Sequence, residues 1–253
     1  MKTFLFIHGW ATDKHVWQSN AGVIAKDAKV ISLNLPGHGG AFKWDTASFA
    51  PAVEEIISAI SEEPAGSVVG IGWSLGAQAL MATATQYPDK FGALVLCGAS
   101  PCFAKTEDWS FGQPRPLVRR MIIDMKRAPD KTLERFYRLN FTADELNTPE
   151  AVEFLNYYNR FADADGAFKY AEVATSLEAL LKMDIRTSLS AIKAPCLVVH
   201  GEADGVCPVE AGRYLAENIK GAHFELFKEA GHALFLTQRE RFNSLVTEFI
   251  QRA

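Results

Sequence analysis

The chain has 253 residues, 48% of them hydrophobic, which is enough for one large α/β domain or a core plus a lid. Its formal net charge of −4 argues against general affinity for nucleic acid or anionic membranes. No apolar run approaches the roughly 18 residues of a membrane span. The apolar stretch Phe4-Leu5-Phe6-Ile7 after Lys2 is too short for the core of a secretion signal.

Residues 3–7 read as a buried strand, ended by His8-Gly9-Trp10, with a helical stretch at about 14–26. A second strand, 29–33, closes at the turn Asn34-Leu35-Pro36-Gly37-His38-Gly39. Residues 46–62 place Val53, Ile56, Ile57 and Ile60 on one helix face, with Thr46 or Ser48 as the expected cap. A third strand, about 67–72, runs into Gly72-Trp73-Ser74-Leu75-Gly76, and a helix follows as far as Tyr87-Pro88. The fourth strand is 93–97. From 101 to 189 no strand is expected, only helices near 115–127, 130–140, 149–162 and 168–183. Alternation then resumes with strand 196–200, helix 209–219, strand 224–227 and helix 235–251. The pattern predicts an α/β fold: a mostly parallel six-stranded sheet with helices on both faces and an all-helical cap between strands four and five. The expected division is core 1–100, cap 101–189 and core 190–253.

The stretch Gly72–Gly76 has the pattern G-x-S-x-G between a strand and a helix. That context presents a serine hydroxyl on a sharp turn and aims the next backbone N–H, that of Leu75, at a forming oxyanion. The plainer reading is a Gly-rich strand end with a helix-capping serine. The spacing Gly70-x-Gly72-x-x-x-Gly76 does not fit a dinucleotide loop. A serine needs a base. His232, between the last strand and the last helix, falls at the same sheet edge, and Asp204, after strand five, falls there as the orienting acid. Ser74, Asp204, His232 is the chain order this kind of site requires. Glu202 is the rival acid.

The backbone N–H of Trp10 is the expected second oxyanion donor, with its side chain lining an acyl pocket or sealing the loop. His8 reads as structural, His38 as a turn residue, His15 and His223 as surface, and His200 as hydrogen-bonded inside. Trp10, Leu75 and the cap aromatics Phe103, Phe136 and Phe141 are the expected lining of an apolar channel over Ser74. Such a site needs neither metal nor cofactor. The four cysteines lack C-x-x-C or zinc spacing, which suits a reducing, cytoplasmic setting. Cys97 and Cys196 read as core thiols, while Cys102 and Cys207, just after strand ends, are candidates for reactivity. Residues 115–138 hold eight Lys or Arg against three acids. Arg115 and Arg119 are four apart, and Lys131, Arg135 and Arg138 share a helix face. That face is either solvated or a docking surface for an acidic partner.

With these residues assembled, the chain resembles the α/β-hydrolases of the esterase branch over essentially its whole length. Within them it is most similar to the pimeloyl-[acyl-carrier-protein] methyl ester esterase family of biotin synthesis. His8-Gly9-Trp10, Gly72–Gly76, Ser100-Pro101-Cys102-Phe103 with Trp109, Asp204–Pro208 and Ala230–Ala233 carry the resemblance. It implies hydrolysis of the methyl ester of pimeloyl-acyl-carrier protein to the acid and methanol. It also implies that Arg115, Arg119, Arg135 and Arg138 hold the acidic carrier protein. Members usually have a short strand pair before His-Gly, whereas this sequence begins at that strand; the expectation is a trimmed sheet edge and an unchanged site. Three other readings share the residues: a generic short-chain carboxylesterase or lactonase on free small esters, a carbon–carbon bond hydrolase, and an acyltransferase. A non-catalytic binding protein on this scaffold would normally lack a triad member. A haloalkane dehalogenase would carry Asp at position 74.

Overall fold

Four strands of the sheet are apolar on both faces, the pattern of parallel strands covered by helices. The computed structural model describes residues 2–161 and 169–253. Its strands are β1 (Thr3–Ile7), β2 (Lys29–Leu33), β3 (Val68–Trp73), β4 (Phe91–Cys97), β5 (Cys196–Gly201) and β6 (His223–Phe227). They form one sheet in the order β2-β1-β3-β4-β5-β6, and every pairing is parallel. β1, β3, β4 and β5 are almost fully buried, whereas the edge strands β2 and β6 are partly exposed. The order reverses between β1 and β3, because the chain passes from β1 outward to β2 and then returns. Ligands of such sheets bind at that switch point, beyond the carboxyl ends of the strands. Trp10 and Ser74 lie there.

The helices of the core are α1 (Gln18–Ile24), α2 (Ala50–Ala59), α3 (Leu75–Gln86), α8 (Val209–Asn218), α9 (Leu234–Thr237) and α10 (Arg239–Arg252). α1 packs on α10, and α2 packs on α3. Between β4 and β5 come α4 (Arg115–Arg127), α5 (Pro129–Leu139), α6 (Pro149–Phe161) and α7 (Tyr170–Lys182). The described residues of this segment form only isolated bridges, not strands, as expected for a cap. The predicted helix limits at 162 and 168 lie outside the described residues.

Three local expectations differ. The last helix, expected over 235–251, is broken at Gln238 into α9 and α10. Lys14–Trp17 is a 3₁₀ turn, opened by the Asp13 carboxylate accepting the His15 N–H at 3.0 Å, and α1 begins only after it. α2 starts at Ala50 with Phe49 at its cap position: the Ser48 hydroxyl, bonded to that of Thr46 at 3.0 Å, accepts the Ala50 N–H at 3.4 Å, and Pro51 in the first turn favours the start there.

Glycine is dictated where α3 crosses β1. A Cβ on Gly76 would lie 2.5 Å from the carbonyl oxygens of both Ile7 and His8, and one on Gly72 would lie 2.6 Å from the Ala77 nitrogen. These are backbone atoms and cannot rotate aside. Gly76→Ala should therefore lower the melting temperature by several degrees, from an overpacking cost of about 1–3 kcal/mol. Unchanged melting would show that α3 and β1 can part freely.

Candidate active site

Ser74 follows β3 at φ 54° and ψ −117°, a left-handed conformation that costs a non-glycine residue about 1–3 kcal/mol. Its N–H donates to the Cys97 carbonyl at 2.8 Å, and its carbonyl accepts the Gln78 N–H at 3.0 Å. It occupies the cap position of α3, yet its side chain makes no capping hydrogen bond. The helix-capping reading is therefore not the one this geometry supports.

His232 follows β6, in the loop before α9. Its Nδ1–H donates to Asp204 Oδ2 at 2.6 Å, and its carbonyl accepts the Trp73 indole N–H at 3.0 Å. The ring lies against the backbone after β4: a Cβ on Gly98 would come within 2.9 Å of His232 Cε1 and Nδ1. Ser74 is bonded to Cys97, the residue before Gly98, so serine and imidazole fall at the end of the same strand, with no hydrogen bond between them. With the proton on Nδ1, Nε2 carries the lone pair. That Nε2 is buried and has no hydrogen-bond partner among the described residues.

Asp204 is a saturated acceptor. Oδ1 takes the N–H groups of Val206 and Cys207, each at 2.8 Å. Oδ2 takes His232 and lies 3.3 Å from His200 Nε2. Burial opposes its ionisation, but His232 and the His200 hydrogen bond outweigh that and hold the carboxyl below the usual carboxylate range. Glu202 is exposed and accepts the Glu229 N–H at 3.3 Å instead. His200 is held inside by the Cys207 carbonyl at 2.8 Å.

Two neutral histidines shape the loop after β1. His8 donates from Nδ1 to the Gly9 carbonyl at 2.8 Å and accepts the Leu35 N–H on Nε2 at 2.9 Å. His38 donates from Nδ1 to the Pro36 carbonyl at 2.8 Å and accepts the Ala11 N–H at 3.0 Å. Burial lowers His8 to about 3 and His38 to about 4. Among the described residues, neither the Trp10 N–H nor the Leu75 N–H has an acceptor. The Trp10 side chain seals the loop: its indole donates to the Val173 carbonyl of α7 at 3.0 Å, and its ring meets Phe136 edge-on at 4.7 Å.

Phe136 is thus brought to the loop after β1. Phe141 packs on Phe154, which in turn meets Trp73 edge-on at 6.4 Å. Phe103 is only half-buried, in the loop after β4. All four cysteines are buried free thiols. Burial raises Cys102 to about 11 and pushes Cys207 up as well, so neither is the activated thiol that its position suggested. Of the basic residues, Arg119, Lys131, Arg135 and Arg138 are exposed and form no ion pair among the described residues. Arg115 is half-buried and donates to the Leu181 carbonyl at 3.2 Å. Sequence reasoning missed Gln113, whose amide donates to the Gly205 and Val206 carbonyls at 3.2 and 2.8 Å and ties the cap to the Asp204 loop. A lone loop glutamine gives no pattern to find.

The profile of the alpha/beta hydrolase family matches residues 4–245. The chain belongs to that family. It is 30% identical over 247 residues to the pimeloyl-[acyl-carrier protein] methyl ester esterase of Chromobacterium violaceum, covering 98% of this chain and 93% of that one. It is 29% identical over 252 residues to the protein of the same name from Aromatoleum aromaticum, covering 98% and 97%. Among solved structures, the esterase of Exiguobacterium antarcticum superposes with a TM-score of 0.88 at 22% identity, over 99% of this chain and 92% of that one. In this α/β-hydrolase, no described helix is long and apolar enough to cross a membrane.

The buried histidines make stability depend on pH. Both have an ordinary value of 6.5 and titrate far lower when folded, so the unfolded chain takes up protons first. Their contribution is complete above 6.5 and is lost as pH falls toward 4 for His38 and 3 for His8. Each can remove up to about 1.4 kcal/mol per pH unit in that range. His38→Gln should flatten the fall of melting temperature with acid. An unchanged slope would mean His38 is not a source of acid sensitivity.

Proposed function

We propose that Ser74, His232 and Asp204 are a catalytic triad, and that the protein is a serine carboxylesterase hydrolysing the methyl ester of pimeloyl-acyl-carrier protein. One observation carries the triad: a buried imidazole pinned through Nδ1 to Asp204, with a bare Nε2, at the same sheet edge as a serine held at a strained turn. On this reading His232 takes the Ser74 proton as Oγ attacks the ester carbonyl. The Leu75 and Trp10 N–H groups receive the oxyanion, each worth about 2.7–4 kcal/mol in the transition state. His232 then protonates departing methanol, activates water, and Ser74 leaves with its proton restored. Asp204 stays ionised throughout and fixes the tautomer.

The substrate reading is supported by the names of relatives at 29–30% identity and by the unpaired cations of the cap. Exposed Arg119, Arg135 and Arg138 suit an acidic carrier protein, and docking would decide which carbonyl reaches Ser74. We divide the chain accordingly into core 1–100, cap 101–189 and core 190–253, with the cap presenting the carrier and the core doing the chemistry. Leu75, Phe103, Phe136, Phe141 and Trp10 remain the proposed acyl lining. A second reading, a carboxylesterase or lactonase for free small esters, is favoured by Arg115: its tie to Leu181 removes one cation from the docking set.

Ser74→Ala should abolish turnover without loss of fold, and a phosphonate probe should label only the wild type. Asp204→Asn should lower kcat by up to about 10⁴-fold, with Glu202→Gln near normal. The reverse ranking would mean that the orienting acid is Glu202.

The carrier reading has its own test. Raising ionic strength to about physiological, where the Debye length is about 8 Å, should lower kcat/KM on the carrier-linked ester and leave a neutral p-nitrophenyl ester unaffected. Arg135→Glu with Arg138→Glu should reproduce that selective loss, with melting checked first. No loss on either substrate would return the basic face to solvent and favour the free-ester reading.

A further inference from the structure

The sequence Thr142-Ala143-Asp144-Glu145 has the T-x-x-E pattern of a capping box, and the structure contains one. The Glu145 N–H donates to Thr142 Oγ1 at 3.2 Å, and the Thr142 N–H donates to Glu145 Oε2 at 2.8 Å. The box opens a single 3₁₀ turn, Glu145–Asn147, in the cap. A box on a surface turn leaves the remaining lone pairs of its carboxylate to water. Glu145 is buried, and both of its oxygens reach across to the core. Oε2 also accepts the Gly231 N–H at 2.9 Å, and Oε1 accepts the Thr237 hydroxyl at 2.6 Å.

These partners bracket His232. Gly231 directly precedes it, and Thr237 ends α9, the single turn that follows it. The cap adds a second grip, since the Asn140 carbonyl accepts the Ala233 N–H at 2.9 Å. The core adds a third through Trp73 and the His232 carbonyl. Position 231 must be glycine for this grip to form: a Cβ there would lie 2.7 Å from Glu145 Oε2 and 2.9 Å from the Asn140 carbonyl oxygen.

We propose that Glu145 is a positioning residue for the reaction. From the cap it fixes the backbone of the His232 loop, so that the imidazole holds its Asp204 bond and its line toward Ser74. The proposal rests on the reading of His232 as the base. Glu145 touches no reacting atom. Its removal acts by displacement, and a displacement of about 1 Å is enough to cost on the order of 10²-fold in rate. A buried acceptor that loses its donors, or donors that lose their acceptor, must also find new partners, which drives the loop to shift.

Four variants separate this from a merely structural role, assayed on a neutral p-nitrophenyl ester. Glu145→Ala and the shorter Glu145→Asp should lower kcat by roughly 10- to 100-fold with KM little changed. Glu145→Gln should restore most of kcat, because its amide oxygen can accept both N–H groups and its NH₂ can donate to the Thr237 hydroxyl. Thr142→Ala weakens the same cap turn without touching Gly231 and should keep kcat near wild type. The low-field proton resonance of His232 Nδ1–H should shift or broaden in Glu145→Ala and persist in Glu145→Gln. A kcat for Glu145→Ala close to wild type, a loss confined to KM, or an equal loss in Thr142→Ala would each overturn the proposal. If Glu145→Ala does not fold, the folded Asp and Gln variants decide. His232→Ala is assayed beside them. If it is dead while Glu145→Ala is normal, only the positioning role falls; if it turns over normally, the triad reading falls and takes the positioning role with it.

Discussion

Ser74 sits at φ 54°, and a serine stays there only while its surroundings leave it no alternative. Those surroundings are a crossing of backbone on backbone. Gly76 brings α3 into contact with the carbonyls of Ile7 and His8, and Gly72 brings β3 into contact with Ala77. The Ser74 N–H is anchored to Cys97 on the neighbouring strand. β1, β3 and β4 are therefore locked to the turn from three directions, at the point where the sheet reverses its strand order. The same crossing brings the chain after β1, with the Trp10 N–H, to the start of α3, with the Leu75 N–H. On the proposed reading, strain at the serine and the pairing of two oxyanion donors have one cause.

Electrostatics within this frame are sparse. His8 and His38 are neutral, each giving one hydrogen bond to a carbonyl and accepting one from a backbone N–H. They act as rigid spacers between the loops after β1 and β2, not as charges. Asp204 is the buried anion beside His232, with four donors arranged around it. A carboxylate so fully satisfied has little tendency to take the His232 proton, which is the condition for orienting an imidazole and stabilising its charged form.

Much of this was legible in the sequence because it depends on pattern. The strand–turn–helix context picked out Ser74, and the position of one His and one Asp after late strands picked out His232 and Asp204. Apolar periodicity placed nearly every helix and strand within a few residues. Misses came where a short-range competitor won. Asp13 captured the first turn of α1, and α2 took Phe49 at its cap position, with Pro51 in its first turn and the Ser48 hydroxyl reaching in from one residue earlier. The cysteines were ambiguous because position after a strand says nothing of burial, and burial is what suppresses a thiolate. The Trp10 side chain was read two ways, as pocket lining or as a seal on the loop, and its indole bond to Val173, 163 residues away, cannot be read from sequence. Thr142–Glu145 advertises a helix start, but not that its carboxylate has a second task across the cap boundary.

The cap is joined to each loop of the candidate site: Tyr137 and Val173 to the loop after β1, Gln113 to the loop after β5, Glu145 and Asn140 to the loop after β6. On the proposed reading, a triad is indifferent to which acyl group it meets, so selectivity comes through this layer. α5 shows how. Its inner face carries Phe136 against the Trp10 ring and Tyr137, whose hydroxyl donates to the Ala11 carbonyl at 2.8 Å. Its outer face carries exposed Lys131, Arg135 and Arg138. One helix, about 10 Å across, separates the face that would meet an acidic carrier from the loop that would hold the oxyanion. On the proposed reading, a load on the outer face is transmitted to Trp10 through one rigid element. Docking and alignment are then two faces of the same helix, and neither can be changed by a large substitution on α5 without a cost to the other.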